Sequence, residues 1–395
     1  MYRYFFAFIA FFYLNSKAYG QTFDTSKPMK VAVFIPLYTD DVFDGFTYTL
    51  GKGNLPKNVL PGLEFYNGVM MAIDSLNAEK TRVEISIYDT KNKTQALANL
   101  LRSQELNNVG LMIAAITNPT ELKLFADQAL MKNIPLISAT YPNFVGVTEN
   151  PFFVLLNSSL QAHLQGIYRH MQRFYANRNI IAVSKKGGPA DDFIKNYMTS
   201  LNKNQHQNPL KIKWLQLDEE TINPNTFKNT LDITKGNVVF VASPLESFGL
   251  KIIQSLSIDT TYRITAIGMP TWDNIKELDK PECRNVEIVF STPFLYYSQN
   301  LALSSLLNKR YKERYYSRPS DMVFKGFEIV YHFTKLLTKY KTNLVNNLSD
   351  KEYTLFNQFN LEAVKLKSTS SKPDFLENRK LYFIKKQGGN VKSII

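Results

Sequence analysis

One stretch of the sequence, Val109 to Thr140, constrains the fold more than any other. It begins with a continuous apolar run from Val109 to Ile116, which is typical of a strand covered on both faces in a parallel sheet. Asn118 is placed to cap a following helix, with Pro119 at the first helical position and Glu121 completing a capping box. A strand therefore ends where a helix begins, and open α/β sheets bind ligands beyond such strand ends.

A second stretch has the same organisation. The apolar run from Val238 to Ala242 leads into Ser243-Pro-Leu-Glu246, which predicts a strand followed by a helix capped by Ser243 and Glu246. A chain of 395 residues is too long for one ordinary core. Elsewhere strand-like and helix-like segments alternate, which implies right-handed crossovers and parallel sheets. We therefore predict an α/β protein with two doubly wound parallel-sheet lobes.

The first 20 residues are predicted to be a signal peptide and not a part of the fold. Arg3 gives a positive start, Tyr4 to Leu14 form a short apolar run, and Ala18-Tyr-Gly20 resembles a cleavage site. The apolar run is about half of the ~20 residues that a membrane span needs, and no later segment reaches spanning length. The single cysteine, Cys283, lies deep in the chain, where it can neither carry a lipid at a new N-terminus nor pair within the chain. The sequence thus predicts an exported periplasmic protein without a lipid anchor or a transmembrane span.

The chain is basic, but its charge does not indicate a nucleic-acid partner. Removing Arg3 and Lys17 with the signal peptide leaves 45 basic and 34 acidic residues. Such a balance suits nucleic acid or an anionic envelope polymer. The basic residues are scattered, however, with modest clusters at 309–314 and 365–386. Export also argues against genomic DNA, and we predict no nucleic-acid binding.

No catalytic or metal-binding pattern is present. The sequence contains no Gly-x-Ser-x-Gly, His-Glu-x-x-His, Cys-x-x-Cys or P-loop motif. His163 and His170 share one predicted helix, but no further ligands are near them in the sequence, and a zinc site needs three or four. Asp191 and Asp192 follow Gly187-Gly-Pro and are placed to face the positive end of a helix. We predict no enzyme activity, no metal and no cofactor.

The best candidates for a binding site are the residues at predicted strand ends. Hydroxyls and helix N-termini there can hold an anion, and Tyr38, Tyr141 and Trp272 can stack on a ring or a sugar face. A capping or packing role is the alternative for each residue, especially for Asn118, Ser243 and Trp272. The predicted ligand-binding residues are Tyr38, Thr117, Asn118, Ser138, Ala139, Thr140 and Tyr141 in the first lobe, and Lys185, Ser243, Met269 and Trp272 in the second.

Several segments are similar to one known family. They are Leu63-Glu-Phe-Tyr-Asn-Gly68, Tyr88-Asp-Thr90, Ile134-Pro-Leu-Ile-Ser138, and Lys325-Gly-Phe-Glu328 after Pro319. On these segments the chain resembles the type I periplasmic binding proteins, of the Leu/Ile/Val-binding kind. It is most similar to an envelope branch from the Bacteroidetes that is often joined to LysM modules. The most specific pieces of this likeness are residues 63–68, 268–272 and 377–379.

The resemblance implies two lobes joined by three crossings of the chain. Residues 21–156 and 293–345 are then expected in lobe one, and residues 157–292 and 346–395 in lobe two. The crossings are expected near Leu156, near Pro293 and between Tyr340 and Asp350. Members that bind amino acids also carry an acidic group near the ligand's ammonium, and Glu246 is the nearest candidate, although it is also assigned to a capping box.

Two functions fit these features. The first is a non-enzymatic, exported solute-binding protein that closes over a small polar ligand (an amino acid, a sugar or a wall fragment) and delivers it to an ABC-type transporter. The second is an envelope scaffold or regulator of peptidoglycan metabolism, in which the same fold binds a cell-wall enzyme. The long segment from Thr39 to Pro61 and the basic tail would suit the second function, because loops of that length in compact domains are usually functional or mobile.

Overall fold

The computed structural model describes residues 27–51, 53–205, 208–296 and 300–394, so the predicted signal peptide lies outside the described residues. The strands are β1 (Met29–Ile35), β2 (Phe43–Asp44), β3 (Thr47–Tyr48), β4 (Val83–Asp89), β5 (Val109–Ala114), β6 (Leu136–Ser138), β7 (Phe153–Leu155), β8 (Asn179–Lys185), β9 (Ile212–Leu217), β10 (Asn237–Val241), β11 (Ile264–Gly268), β12 (Glu287–Thr292), β13 (Leu361–Val364), β14 (Phe375–Asn378), β15 (Tyr382–Gln387) and β16 (Asn390–Ile394). The α-helices are α1 (Thr39–Val42), α2 (Leu60–Ala78), α3 (Leu97–Arg102), α4 (Pro119–Lys132), α5 (Leu160–Tyr175), α6 (Pro189–Lys203), α7 (Glu246–Ser257), α8 (Leu301–Tyr315) and α9 (Asp321–Tyr340).

The first lobe is built on a sheet with the strand order β13-β14-β7-β6-β5-β1-β4. All neighbouring pairs in it are parallel except β13 and β14. Side chains of β1 alternate between two cores: Val31 and Val33 pack with α2 and α9, whereas Ala32 and Phe34 pack with α3 and α4. Helices therefore cover both faces of the sheet, which is why its strands are apolar without alternation.

The second lobe repeats this plan with the strand order β16-β15-β12-β11-β10-β8-β9. Its β10 also divides its side chains between two cores. Val239 and Val241 pack with α7, whereas Val238 and Phe240 pack with α5 and α6. The predicted α/β fold of two parallel-sheet lobes is thus confirmed.

The tail of the chain is divided between the lobes differently from the prediction. Strand β14 pairs in parallel with β7 of the first sheet, and β13 pairs with β14. Only β15 and β16 join the second sheet, where β15 runs antiparallel to β12. The third crossing is therefore at residues 379–381 and not between Tyr340 and Asp350. Strands β13 and β14 belong to the first sheet because β14 extends its β7 edge and β13 pairs with β14.

The segment from Thr39 to Pro61, predicted as a long irregular loop, contains short elements. It forms α1 and then the hairpin of β2 and β3. Phe46 at the hairpin tip is fully exposed, and Phe43 and Tyr48 beside it are also exposed. The hairpin begins just beyond the carboxyl end of β1.

Candidate functional site

The chain's crossings show which edges of the two sheets face each other. The first crossing leaves the first sheet at the carboxyl end of β7, and the second leaves the other sheet at the carboxyl end of β12. The third leaves the carboxyl end of β14, which is parallel to β7, and enters β15 beside Thr292 at the end of β12. All three crossings thus join the carboxyl edges of the two sheets. These edges border one gap, where open α/β sheets bind ligands.

In the first lobe, the edge carries a connected polar network at the start of α4. The carboxylate oxygen Oε2 of Glu121 accepts hydrogen bonds from the backbone N–H of Thr117 at 3.0 Å and from its hydroxyl at 2.8 Å. The ammonium of Lys91 pairs with the same carboxylate and donates to the Thr117 hydroxyl at 3.2 Å. The donors that would hold a ligand's anionic group at Thr117 therefore already bind Glu121.

Asn118 caps α4 as predicted, and the cap can be tested. Its side-chain oxygen accepts from the backbone N–H of Glu121 at 3.0 Å. Glu121 reaches back to Thr117 and not to Asn118, so the capping box is displaced by one residue.

We expect Asn118→Ala to lower the free energy of unfolding by about 1 kcal/mol, measured by urea titration. The matched variant Asn107→Ala, at an exposed position, should change it by less than about 0.5 kcal/mol. Equal effects of the two variants would contradict the cap.

The other predicted residues of the first lobe lie at the same edge. Ser138 is fully buried, and its hydroxyl has no hydrogen-bond partner among the described residues. Ala139 is buried in the core, whereas the Thr140 hydroxyl donates to the Ile116 carbonyl at 2.7 Å. Tyr38 and Tyr141 are half-buried. The ring of Tyr38 lies 5.8 Å from the Lys91 ammonium, which joins it to the network described above.

In the second lobe, two predicted residues lie at strand ends with polar contacts. The ammonium of Lys185 bonds to Glu219 at 2.8 Å, and this contact raises the pKa of Lys185. Ser243 is buried, and its hydroxyl oxygen accepts from the Leu245 backbone N–H at 3.4 Å. Helix α7 begins at Glu246 without a side-chain cap. The predicted capping by Ser243 and Glu246 is therefore wrong, because the serine, three residues before Glu246, closes a local turn that ends at Leu245.

Met269 and Trp272 are both fully buried, so the structure favours the packing alternative for them. Trp272 lies in the core of the second lobe with α7. A Cβ atom on Gly268 would lie 2.0 Å from its ring, so only glycine fits beside it. In this arrangement the indole face is covered by protein and is not available to a ligand.

A charged cluster that the sequence did not predict faces the gap from both lobes. Asp273 follows β11 of the second lobe in the 3₁₀ turn Pro270–Asn274, and Asp321 and Lys325 lie on the first turns of α9 in the first lobe. Both carboxylates reach solvent, yet desolvation by the surrounding protein raises both pKa values, and the charge of Asp273 raises that of Asp321 further. Carboxylates that reach solvent and are also desolvated by protein on two sides are expected in a gap between two lobes.

Lys325 completes this cluster. Desolvation lowers the pKa of its ammonium to about 8, although both carboxylates act to raise it. The ammonium lies 4.2 Å from the centroid of the Phe294 ring, which belongs to the second crossing. The three charges come from two segments that are distant in the sequence, so no local pattern could have revealed them. Lys386 on β15 also acts to lower the pKa of Asp273, and its ammonium pairs with Asp279 at 3.0 Å.

The crossings are held together by buried hydrogen bonds. The Glu377 carboxylate accepts from the Ser159 backbone N–H at 2.9 Å and pairs with Arg379 at 2.8 Å. The Ser158 hydroxyl donates to the Asn378 carbonyl at 2.7 Å. These contacts join the first crossing to the third, so the segment 377–379 that carried the family resemblance lies in the hinge.

His163 and His170, which share α5 as predicted, have no metal-binding surroundings among the described residues. His163 is buried, and desolvation lowers its pKa to about 3; its Nδ1 lies 2.8 Å from the Ser291 hydroxyl. His170 is stacked on Phe383 at 4.0 Å. Within the described ranges, no three His, Cys, Asp or Glu side chains are grouped so that they could hold a metal ion. Among the described helices, none is long and apolar enough to cross a membrane.

Two α/β lobes whose strand ends face each other across a three-crossing hinge define the type I periplasmic-binding-protein fold, and solved structures agree. A protein assigned to branched-chain amino acid ABC transport from Rhodospirillum rubrum aligns over 93% of this chain and 100% of its own, with a TM-score of 0.66 and 10% identity. An ABC transporter substrate-binding protein from Desulfitobacterium hafniense in complex with Leu aligns over 93% and 99%, with a TM-score of 0.57 and 10% identity.

A fatty acid ABC transporter substrate-binding protein from Thermomonospora curvata also shares the fold, with a TM-score of 0.52, 11% identity and coverage of 94% and 92%. A scan against protein-family models gives no match. A sequence search of curated proteins gives none either. The second and third of these neighbours are named as substrate-binding proteins of ABC transporters. Their different ligands show that this fold alone does not specify what is bound.

Proposed function

We propose that the protein is an exported solute-binding protein that closes its two lobes over a small polar ligand and delivers it to an ABC-type transporter. One observation carries the proposal: at the edges that border the gap, Asp273 of the second lobe interacts electrostatically with Asp321 and Lys325 of the first. Charges of both signs in a partly desolvated gap suit a polar ligand. Export, the absence of a lipid anchor and the link to LysM-containing envelope proteins stay predictions.

The chemistry of the cluster favours a ligand with a cationic group, such as an amino acid. Because Lys386 is paired with Asp279, the carboxylates of Asp273 and Asp321 against the ammonium of Lys325 leave a net negative charge, which a ligand ammonium would neutralise. Asp273 therefore replaces Glu246 as our candidate for the acidic group; Glu246 is exposed at the first turn of α7. The tight network at Thr117 argues that the first lobe contacts the ligand through the half-buried Tyr38 side chain and not through a free helix N-terminus.

A thermal-shift screen of amino acids, sugars and wall fragments tests the proposal. A ligand that binds only the folded protein stabilises it by about 2.7 kcal/mol at one hundred times its dissociation constant. The melting temperature should therefore rise with the concentration of one ligand class. The radius of gyration from solution scattering should fall as the lobes close. If no small molecule shifts the melting temperature and the protein instead captures a cell-wall enzyme, the scaffold function is correct and this proposal is wrong.

The charged cluster gives a sharper test of the same site. We expect Asp273→Asn to weaken binding of an amino-acid ligand about tenfold or more, because a charged hydrogen bond contributes about 1.5 to 3 kcal/mol. Titration calorimetry measures the loss. The matched variant is Asp259→Asn on the same lobe, an exposed residue in the turn before β11 whose carboxylate accepts from the Thr261 backbone N–H at 2.9 Å. Unchanged affinity in both variants would show that Asp273 does not contribute to ligand binding.

A further inference from the structure

A basic groove runs along one side of α5 in the second lobe, away from the gap between the lobes. Three cavities of about 480, 310 and 990 Å³ follow one another there. The first and second share Arg173 and Phe174, and the second and third share Arg178 and Lys235. The cavities therefore form one continuous surface, which we call the α5 groove. It begins at the third crossing, where Arg379, Lys380 and Leu381 line the first cavity.

The α5 groove is strongly positive. The exposed cations in its lining are Arg169, Arg173, Arg178, Lys211, Lys213, Lys235 and Arg263. Asp232 is the one carboxylate among the described lining residues, and it already accepts from the backbone N–H groups of Thr234 and Lys235. In the part of the chain that the structure describes, none of these seven cations has a carboxylate oxygen within 4.0 Å. Their charges are thus available to a partner.

An aromatic ring lies in the middle of this surface. Phe174 is 44% exposed at the end of α5, and the guanidinium of Arg173 lies 4.9 Å from its ring centroid. An exposed ring flanked by cations can stack on the C–H face of a sugar while the cations pair with acidic groups on the same chain. A concave groove also fits a linear polymer better than it fits a flat membrane surface.

We propose that the α5 groove binds an acidic polysaccharide. The cations hold the carboxylate or phosphate groups of the polymer, and Phe174 packs against one sugar ring. The cavities of 310 and 990 Å³ are lined only by residues of the second lobe, so binding there does not require the ligand that closes the lobes. It would hold the binding protein close to an acidic glycan while the lobes remain free to open and close.

Polygalacturonate, a linear polysaccharide with one carboxylate per sugar, is the probe. We expect the full chain to bind it at about 0.1 M salt, where the Debye length is about 10 Å, and to lose affinity as salt is added. Dextran, which has no charge, should not bind. The triple variant R173E/R178E/K235E should bind polygalacturonate about tenfold more weakly or worse, because three attractions become repulsions. The variant R173Q/R178Q/K235Q removes the three charges without reversing them. Its affinity for polygalacturonate should lie between those of the triple Glu variant and the wild type.

A second basic cluster provides the matched control. Lys309, Arg310 and Lys312 are exposed on α8 of the first lobe, and K309E/R310E/K312E changes the net charge by the same amount. This variant should keep polygalacturonate affinity within about twofold of the wild type, because the reversed charges lie on the other lobe. Equal losses in the two triple variants would show that net charge alone is responsible and would overturn the proposal. A melting-temperature measurement on each variant verifies that it is folded.

Phe174 distinguishes a polysaccharide from a nucleic acid. Phe174→Ala should weaken polygalacturonate binding about threefold or more, since an aromatic contact contributes about 0.5 to 1.5 kcal/mol. It should leave binding of a short DNA duplex unchanged, because the bases of a duplex are not open to stacking. Tighter binding of the duplex than of polygalacturonate by the wild type, or no effect of Phe174→Ala on polygalacturonate, would contradict the proposal.

Discussion

A Glu328→Ala variant is expected to unfold with a free energy about 3 kcal/mol or more below that of the wild type at about pH 5.5. Glu328 is fully buried on α9, and its carboxyl oxygen Oε1 accepts from the backbone N–H groups of Phe356 at 2.8 Å and Asn357 at 2.6 Å. Its Oε2 accepts from the Asn357 side chain at 2.7 Å. Removing the carboxyl leaves three buried donors without an acceptor.

Loss of the Glu328 hydrogen bonds should also destabilise the hinge. The segment that Glu328 holds touches two of the three crossings: Asn357 accepts from the Leu295 backbone N–H at 2.6 Å, and the Gln358 backbone N–H donates to the Tyr382 hydroxyl at 3.0 Å. Hydrogen exchange should therefore accelerate at 294–296 and 382–384 in the variant. Glu313→Ala is the control, because Glu313 is exposed and its pair with Lys309 is 4.0 Å long. It should change stability by less than about 0.5 kcal/mol.

The titration of Glu328 makes the stability of this region depend on pH. Burial raises the pKa of Glu328 from 4.5 to about 7, although the three N–H donors act to lower it. The ionised form is thus disfavoured in the folded state. The stability contributed by the neutral carboxyl is complete below about pH 4.5 and is lost as the pH rises through about 7.

A Glu328→Gln variant tests this pH dependence, because its amide stays neutral. Between about pH 5 and pH 8, the difference in unfolding free energy should shift in favour of the Gln variant by up to about 3 kcal/mol. Urea titrations at several pH values measure the shift. A difference that stays constant over this range would show that the carboxyl does not titrate there.

The sequence predicted the parallel core well because buried strands and capped helices have strong local signals. The predicted strands 109–116 and 238–242 overlap β5 and β10, and the predicted cap at Asn118 is present. These features depend on neighbouring residues and on burial of both sheet faces. They are therefore visible without any knowledge of tertiary contacts.

The features that the sequence did not predict all depend on contacts between distant segments. The third crossing was misplaced because β14 pairs with β7, more than 200 residues earlier in the chain. The cluster of Asp273, Asp321 and Lys325 forms only when the two lobes are placed together. The α5 groove collects its cations from α5, from β9 and from the turns around β10 and β11. In the sequence these cations are scattered, so the charge pattern indicated basic clusters only at 309–314 and 365–386.

Gly326→Ala is expected to lower the free energy of unfolding by about 3 kcal/mol, at the upper end of the range for overpacking. Helices α2 and α9 pack so closely that a Cβ atom on Gly326 would lie 2.2 Å from the Phe65 carbonyl oxygen, and one on Gly68 would lie 2.1 Å from that of Val323. These obstacles are backbone atoms, which cannot rotate away as a side chain can. The two helices must therefore separate, and Val323 and Phe65 lie in the core that the separation disturbs.

The control is the same substitution at Gly166 in α5. A Cβ atom there would meet the end of the flexible Leu381 side chain at 2.6 Å, and alanine favours the helix by up to about 1 kcal/mol. Gly166→Ala should thus change stability by less than about 1 kcal/mol. A urea titration of each variant gives the comparison, and similar values at Gly166 and Gly326 would contradict the close approach of α2 and α9.

The double variant Gly68→Ala/Gly326→Ala tests whether the two glycines relieve one shared contact. A shift of α9 that accommodates the first methyl group also makes room for the second, so the combined loss should be smaller than the sum of the single losses. The same shift moves Asp321 and Lys325, which lie on the first turns of α9 and face Asp273. Each single variant should therefore also weaken ligand binding in the gap. Strictly additive losses with unchanged ligand affinity would show instead that the helices yield at two separate places and that α9 does not set the position of the charged cluster.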